Sequence, residues 1–300
     1  MGAAVDPPRR LAKETRMTNA LRFAILTDLH FVPEGQTIYG FDPRACLGRA
    51  LAFLDTLPQV DFLVIAGDLC DRGEPAAYDS LRAALADLPV PVILMVGNHD
   101  NRGHFRAAFP AAPDDGNGFV QGLHVFGQAS LITLDTLDEA EPGHHGHLCD
   151  TRLAFLEKAL REAPADRPVL LFQHHPPMTL SIPPMDAIRL RDGAAELAVF
   201  ERVGRKPEIL FMGHIHRPIT GLWHGIPYHI QRALMHQVHH EFDRSGRIMG
   251  ALESPDLAYV TVRDGDVLIH DCSFTYDGPV FDLESPDAAA VAAPEDLVTR

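Results

Sequence analysis

Seven side chains of the kinds that bind metal ions follow apolar stretches of this sequence. They are Asp28, His30, Asp68, Asn98, His174, His214 and His216. Oxygen and imidazole ligands without a thiolate suit iron, manganese or zinc and disfavour a structural cysteine-type zinc site. Because seven ligands are too many for one tetrahedral ion, we expect two transition-metal ions that share a carboxylate. Two ions about 3.5–4 Å apart can activate a water and stabilise both oxygens of an in-line displacement at phosphorus.

The densest part of this pattern is residues 208–216, where two histidines follow an apolar run. Residues 208–212 are predicted to form a buried strand, and Gly213 ends that strand and lets the backbone turn. His214 and His216 then present ring nitrogens to one small volume. One such pair is a weak signal. Four earlier apolar runs also end in a metal-type ligand, and this makes the joint pattern strong.

Apolar runs and helix signals predict the elements that position these ligands. We expect strands over residues 21–27, 61–66, 90–96, 168–173 and 208–212, with two more between 124 and 136. Helices are predicted from Pro43 with Asp42 as the N-cap, over 75–88, up to residue 162 with Asp150 or Thr151 as the N-cap, and over 193–203. Hairpins are expected at 219–231 and 258–273. This order favours a mixed sheet or two stacked sheets flanked by helices, with ligands at the carboxyl ends of strands.

The composition and net charge of the chain argue against some classes of binding partner. The chain has 300 residues, 46% of them hydrophobic, and a formal net charge of -15. A surface this acidic repels nucleic acids and anionic membranes, so neither is expected as the main partner. A phosphate substrate would also be repelled unless metal ions supply local positive charge. The four cysteines are far apart and form no C-x-x-C pair, which fits a reducing cytoplasm. No stretch is long and apolar enough for a signal peptide or a membrane span.

We expect three segments along the chain. Residues 1–20 hold charges and prolines and are predicted to be a disordered leader, with Met1 or Met17 as the natural start. Residues 21–275 carry every predicted ligand and form the predicted catalytic domain. Residues 276–300 are acidic and contain prolines, and they form a predicted tail that wraps the surface or is disordered.

Five motifs in a fixed order resemble the calcineurin-like metallophosphoesterase superfamily. They are Asp28-x-His30, Gly67-Asp68-x-x-Asp71-Arg72-Gly73, Gly97-Asn98-His99-Asp100, His174-His175-Pro176-Pro177 and Gly213-His214-x-His216. Within that superfamily the chain is most similar to the bacterial class III cyclic-nucleotide phosphodiesterases and the glycerophosphodiesterase group. The resemblance implies an α/β fold in which two stacked mixed β-sheets are flanked by helices, an αββα sandwich.

The resemblance also implies a role for each ligand. Asp28, His30 and His216 would hold the first ion, Asn98, His174 and His214 the second, and Asp68 would bridge the two. Two divalent ions bring about four positive charges, which two carboxylates and one hydroxide reduce to about one. The site would therefore stay cationic within an acidic protein, and the metal-bound hydroxide is the expected nucleophile.

Three further residues receive catalytic roles by the same resemblance. His99 would face the substrate phosphate, where it stabilises charge or protonates the leaving alkoxide. Asp71 would orient His99 as a carboxylate behind it. His236 would contact the phosphate or the metal-bound hydroxide.

Other residues have plainer interpretations. Each aspartate or asparagine ligand, taken alone, could be a turn or helix cap, and only the joint pattern argues otherwise. His144, His145 and His147 lie among prolines and glycines and are expected to be solvated, near the rim of the site at most. His175 is expected to point away from the site. Tyr39 is expected to pack against its neighbours rather than line a substrate pocket.

Together these features predict a metal-dependent phosphodiesterase with iron, manganese or zinc ions. Its small phosphodiester substrates would be cyclic nucleotides such as cyclic AMP, or glycerophosphodiesters. One alternative is a phosphomonoesterase or nucleotide hydrolase on the same site. Another is a non-catalytic interaction module, which is disfavoured because no predicted ligand is missing. Late hairpins in enzymes of this superfamily can pair across a dimer, so a homodimer or a higher homo-oligomer is compatible with the sequence.

Overall fold

The computed structural model describes residues 20–284 except 241 and 243–245, so most of the predicted leader and the end of the predicted tail lie outside the described residues. The strands are β1 Leu21–Leu26, β2 Phe62–Ala66, β3 Val92–Met95, β4 Gly122–Val125, β5 Ser130–Leu134, β6 Val169–Gln173, β7 Ile209–Met212, β8 Ile219–Trp223, β9 Ile226–Ile230, β10 Gln237–Val238, β11 Gly250–Ala251, β12 Asp256–Arg263 and β13 Asp266–Ser273. The helices are α1 Pro43–Leu54, α2 Pro75–Leu85, α3 Arg102–Ala108, α4 Asp150–Glu162, α5 Pro183–Asp186 and α6 Gly193–Val203.

Two mixed sheets form the centre of the fold. The first has the strand order β13-β12-β1-β2-β3, in which β1, β2 and β3 run parallel and β12 pairs antiparallel with β1. The second has the order β4-β5-β6-β7-β9-β8, in which β5, β6, β7 and β9 run parallel. Short β10 and β11 pair separately. The loops that carry the predicted ligands all leave the carboxyl ends of parallel strands, where open α/β sheets bind their ligands.

An apolar layer joins the two sheets. Phe23 of the first sheet lies 6.1 Å from Phe172 and 6.3 Å from Phe211 of the second, measured between ring centroids. The outer face of the first sheet packs against α1 and α2, and that of the second packs against α4 and α6. Each sheet is therefore covered on both faces, as the long apolar strands require. The predicted fold of two stacked mixed sheets flanked by helices is confirmed.

The helix boundaries differ from the predicted ones in two places. Helix α4 has Cys149 as its N-cap, one residue before the predicted cap, and Asp150 is its first residue. Helix α2 ends at Leu85 instead of residue 88. Pro89 excludes the predicted end at residue 88, because a proline disfavours helical backbone in the residue before it. The predicted start of α1 is confirmed, since the Asp42 side chain accepts a hydrogen bond from the Arg44 N–H at 2.9 Å.

A glutamate in the first turn of α6 is buried against the second sheet. Glu196 is fully buried, and the Gln173 side-chain amide donates to its Oε2 at 3.4 Å. Burial raises the pKa of the Glu196 carboxyl to about 8, well above its ordinary value. The folded protein therefore binds a proton that the unfolded chain releases between about pH 4.5 and pH 8. Stability is lost as the pH rises through this window.

We expect Glu196→Gln to stabilise the protein at alkaline pH and to change little at pH 5. The neutral amide removes the cost of an ionised buried carboxylate, so the midpoint of thermal unfolding should rise by about 2–6 °C at pH 8.5. Thermal melts at both pH values measure this difference. Glu201→Gln on the exposed side of the same helix is the matched control, and it should shift neither midpoint. An equal shift for Glu196→Gln at both pH values would contradict the buried-charge explanation.

Candidate metal centre

The loops after β1, β2, β3, β6 and β7 bring the predicted ligands into one buried cluster. Asp28 Oδ1 lies 3.1 Å from His216 Nε2, and His216 Nε2 lies 3.2 Å from His30 Nε2. Asp68 stands between the histidines of the two sheets, with Oδ2 at 3.8 Å from His30 Nε2 and Oδ1 at 3.4 Å from His174 Nε2. The structure therefore places Asp68 where a carboxylate can contact both halves of the cluster.

The backbone at these strand ends is strained. Positive φ angles occur at Asp28 (54°), His30 (44°), Asp68 (48°), His214 (68°) and His216 (54°). Left-handed backbone at residues other than glycine costs about 1 kcal/mol or more each, so it persists only where surrounding contacts enforce it. Two such contacts are the hydrogen bonds from Asp28 N–H to Gly67 O and from His30 N–H to Asp68 O, both 3.0 Å long. They fix the β1 loop against the β2 loop.

Two glycines allow the loops to approach so closely. A Cβ added to Gly97 would clash with Asp68 Oδ1 and with His174 Nε2. A Cβ added to Gly213 would clash with the Thr27 hydroxyl and would also lie against the Asp28 carboxylate. These glycines are therefore required by the crowding of ligand atoms, which leaves no space for a Cβ.

The histidines are oriented by backbone carbonyl oxygens. Hydrogen bonds of this kind join His174 Nδ1 to Ala66 O (2.8 Å), His216 Nδ1 to His236 O (2.8 Å) and His214 Nε2 to Ile188 O (3.1 Å). Since a carbonyl oxygen only accepts, each of these ring nitrogens carries a hydrogen, and the other nitrogen of the ring presents a lone pair whenever the ring is neutral. This is the arrangement in which proteins hold metal-binding histidines.

Several atoms of the cluster are buried without a hydrogen-bond partner among the described residues. They are Asp28 Oδ1, Asn98 Oδ1 and His174 Nε2. An unpaired buried polar atom costs about 1–3 kcal/mol, more when charged, and a bound cation removes that cost. Possible ligand atoms also lie within 4.8 Å of one another in several groups, among them Asp28, His30, Asp68 and His216, and His174 and His214 with the adjacent His175. The residues present therefore fit a pair of metal ions.

The protonation states of Asp28, Asp68 and His214 also suit cation binding. Burial disfavours the ionised form of Asp28, but the neighbouring His216 outweighs it and lowers the pKa to about 2. Burial likewise opposes ionisation of Asp68, yet His174 holds its pKa well below the ordinary value. Burial and the nearby His174 lower the pKa of His214 to about 3, so this ring is neutral. Metal ligands must be deprotonated carboxylates and neutral imidazoles, and these three residues meet that requirement. For His174, burial opposes protonation, but the Asp68 carboxylate outweighs burial and raises the pKa to about 9, so this ring must release a proton when a cation binds.

His99 lies at the edge of the cluster, with its ring 4.7 Å from that of His30. The expected link to Asp71 exists, but the atoms differ from those predicted. His99 Nδ1 donates to the backbone carbonyl of Asp71 at 2.6 Å, whereas the Asp71 carboxylate faces His30 Nδ1 at 3.4 Å. The prediction that the Asp71 carboxylate orients His99 is therefore wrong. Asp71 contacts both rings, the first through its backbone and the second through its side chain.

A cavity of about 190 Å³ opens above the cluster. His236 lines it, with its ring 4.6 Å from that of His216 and 5.1 Å from that of His30. His236 Nδ1 is buried and has no hydrogen-bond partner among the described residues. His236 therefore lies beside the cluster, and its contact with the phosphate or the metal-bound hydroxide stays a prediction.

The three histidines expected to be solvated have separate partners in the structure. His144 Nδ1 accepts from the Asn98 side-chain amide at 2.9 Å, and its ring stacks on His99 with centroids 5.0 Å apart. His145 is buried against Asp138, 3.1 Å from its carboxylate, and His147 contacts Asp192 at 2.8 Å. His144 is thus part of the site, where it fixes which end of the Asn98 amide faces the ligands. Its sequence surroundings carry no sign of this contact.

His175 does not point away from the site as expected. Its ring lies 4.5 Å from that of His214, and its Nε2 is buried without a hydrogen-bond partner among the described residues. The Thr136 hydroxyl contacts the other nitrogen at 2.8 Å. His175 therefore packs directly behind His214.

Asp100 is a positioning residue that the sequence reading did not single out. Its carboxylate accepts hydrogen bonds from the N–H groups of Leu69 (3.0 Å) and Gly97 (2.9 Å) and from the Tyr78 hydroxyl (2.8 Å). The first two donors belong to the loops that carry Asp68 and Asn98. A single buried side chain therefore holds the two loops together.

None of the helices in the described part of the chain combines the length and apolarity needed to cross a membrane.

Comparisons with known proteins show which family this chain is similar to. The family description "Calcineurin-like phosphoesterase" matches residues 21–218. A probable cyclic nucleotide phosphodiesterase of Rhodopseudomonas palustris is 53% identical over 264 residues, which cover 88% of this chain and 96% of that protein. A probable glycerophosphodiester phosphodiesterase of Arcobacter nitrofigilis is 30% identical over 253 residues, which cover 80% and 89%.

A solved structure supports the fold alone. GAP50, the anchor in the inner membrane complex of Plasmodium, matches with a TM-score of 0.59 at 14% identity, over 88% of this chain and 87% of that one. The segment matched by the family description begins at β1 and ends two residues after His216, so it holds every predicted metal ligand. The chain therefore belongs to the calcineurin-like phosphoesterase family and is a phosphodiesterase of that family.

Proposed function

We propose that this phosphodiesterase hydrolyses cyclic nucleotides at a centre of two metal ions. The proposed ligands of one ion are Asp28, His30 and His216, and those of the other are Asn98, His174 and His214, with Asp68 between them. The observation that carries this proposal is the convergence of these side chains on one volume, where Asp28 Oδ1, Asn98 Oδ1 and His174 Nε2 are buried without a hydrogen-bond partner among the described residues. We treat residues 21–275 as one catalytic domain because both sheets contribute ligands.

When bound, a pair of divalent ions supplies Lewis-acid activation of water and neutralises charge on the phosphate. The remaining roles in the reaction belong to side chains of the protein. Asp28 and Asp68 are ionised and hold positive charge in a site that excludes bulk water. His99 donates its Nδ1 hydrogen to the Asp71 carbonyl, which leaves Nε2 free. When the ring also carries a proton on Nε2, this imidazolium can donate to the phosphate or pass that proton to the leaving oxygen and return to the neutral form. His236, on the adjoining wall, supplies a further contact for the phosphate.

Cyclic nucleotides are the proposed substrates because of the relative from Rhodopseudomonas palustris, which matches over nearly the whole length of both chains. Glycerophosphodiesters are the second candidate, supported by the more distant relative from Arcobacter nitrofigilis. We propose iron or manganese, with zinc as a further ion that these ligands suit. We also propose a cytoplasmic location, because all four cysteines are free thiols.

The experiment that tests this function is a substrate panel for the protein loaded with Mn²⁺ or Fe²⁺. We expect kcat/KM for 3′,5′-cyclic AMP or a 2′,3′-cyclic nucleotide to exceed that for glycerophosphoethanolamine by about tenfold or more, which is about 1.4 kcal/mol of transition-state binding. A monoester, p-nitrophenyl phosphate, is the control for the reaction class and should react more slowly than bis(p-nitrophenyl) phosphate. A higher kcat/KM for the glycerophosphodiester would contradict the proposed substrate class.

A further inference from the structure

An exposed aromatic ring lies at the rim of the cavity above the cluster. Tyr39 lines this cavity and is 67% exposed, in contrast to Phe31 in the same loop, which is buried in the core. The Tyr39 ring meets the His236 ring edge to face, with centroids 4.8 Å apart. The expectation that Tyr39 packs like an ordinary apolar residue is therefore wrong, since most of its surface is open to solvent.

The backbone holds this ring in an unfavourable conformation. Ile38 and Phe41 exchange two backbone hydrogen bonds of 2.9 Å, which close a two-residue turn at Tyr39 and Gly40. Both turn residues have positive φ, 50° for Tyr39 and 85° for Gly40. The first position of such a turn favours asparagine, aspartate or glycine, and a bulky aromatic residue is an outlier there. Strained backbone that presents an exposed side chain to a cavity is typical of ligand-contacting residues.

The Tyr39 ring shares one cavity with the proposed metal ligands and is linked to them through His236. Ring contacts lead from Tyr39 to His236, and from His236 to His30 and His216, which are proposed ligands. A further apolar side chain, Ile248, lines the same cavity and is 48% exposed. A cyclic nucleotide has a flat aromatic base joined to its phosphate through one ribose. Such a substrate matches a polar cluster with an exposed aromatic ring beside it.

We propose that Tyr39 is a specificity-determining residue whose ring stacks on the nucleobase of the substrate. This inference rests on the proposed function, because only a nucleotide brings a base to the rim. Stacking on an aromatic side chain accepts any base, so the ring selects nucleotides over glycerophosphodiesters without selecting among bases. Binding covers the exposed ring and the Ile248 side chain, whose apolar surfaces are otherwise in water.

The test compares Tyr39→Ala, Tyr39→Phe and the wild type on 3′,5′-cyclic AMP and on glycerophosphoethanolamine, with Mn²⁺ supplied. We expect Tyr39→Ala to raise KM for cyclic AMP about tenfold, with a smaller change in kcat. The ratio of kcat/KM for cyclic AMP to that for glycerophosphoethanolamine should fall by a similar factor. Tyr39→Phe keeps the ring and loses the hydroxyl, and it should retain the wild-type ratio.

The possible outcomes separate this inference from the proposed function. A wild-type protein that cleaves glycerophosphoethanolamine but not cyclic AMP would overturn the proposed function, and the inference with it. Cleavage of cyclic AMP with an unchanged ratio in Tyr39→Ala would overturn the inference alone. A loss equal in Tyr39→Phe and Tyr39→Ala would assign the effect to the hydroxyl and reject stacking. An unchanged ratio with a changed mass in sedimentation would instead place Tyr39 in a contact between copies of the chain.

Discussion

Replacing Asp68 by alanine should abolish activity and leave at most one metal ion per chain. The Asp68 carboxylate faces His30 on one side and His174 on the other, so its removal takes a negative charge from both halves of the cluster. We expect kcat to fall at least about 1,000-fold, as happens when a group on which the whole site depends is removed. Elemental analysis after metal loading and dialysis measures the ions, and phosphodiester hydrolysis measures the turnover.

A second acidic cluster provides the matched control for this experiment. Asp138 is a carboxylate 3.1 Å from His145 and close to Glu141, and we assign no metal ion to this group. Asp138→Ala should therefore leave both the metal content and the turnover close to those of the wild type. Asp68→Asn adds a variant of the same shape without the charge, and it should lose metal as Asp68→Ala does. Two ions per chain in either Asp68 variant would contradict the bridging position.

His99→Ala should keep both metal ions and lower kcat by about 10²–10³-fold. The residue lies beside the cluster, is held by the Asp71 carbonyl, and has no place among the proposed ligands. A positioned acid or charge-stabilising group contributes about 10²–10⁴-fold to the rate. The loss should be smaller with bis(p-nitrophenyl) phosphate than with cyclic AMP, because nitrophenolate leaves without a proton. An equal loss on both substrates would assign His99 to charge stabilisation rather than to proton donation.

The control for this variant is another histidine that contacts a backbone carbonyl. His104 Nδ1 donates to Gly73 O at 2.8 Å on a neighbouring loop, and its side chain is exposed outside the cavity. His104→Ala loses a comparable hydrogen bond and should retain turnover. If His99→Ala lost metal or retained full turnover, its proposed role would be wrong.

The strand ends are the part of the site that sequence patterns predicted well. Residues 208–216 combine a buried strand, a glycine and alternating histidines, and each of these signals is local to the sequence. The structure has β7 at Ile209–Met212 and places His214 and His216 directly after it. Because parallel strands end at one edge of a sheet, local patterns predict that the ligands within each sheet lie together. The stacking of the two sheets brings the two sets of ligands together, and no local pattern specifies it.

Contacts between distant loops were not predictable in the same way. His144 reaches Asn98 across 46 positions of sequence, and only the packing of two loops creates that hydrogen bond. The pairing of Asp71 with His99 was expected, but sequence does not show whether a side chain or a carbonyl makes the contact. The exposure of the Tyr39 ring was not predicted, because the two-residue turn that exposes it depends on backbone angles that a tyrosine disfavours.

The central claim is that the ligand side chains hold two metal ions on either side of Asp68. Crystals of the Mn²⁺-loaded protein, measured at the manganese absorption edge, test it most directly. The account predicts two anomalous peaks about 3.5–4 Å apart, one beside Asp28, His30 and His216 and the other beside Asn98, His174 and His214. A single peak, or peaks away from Asp68, would contradict it.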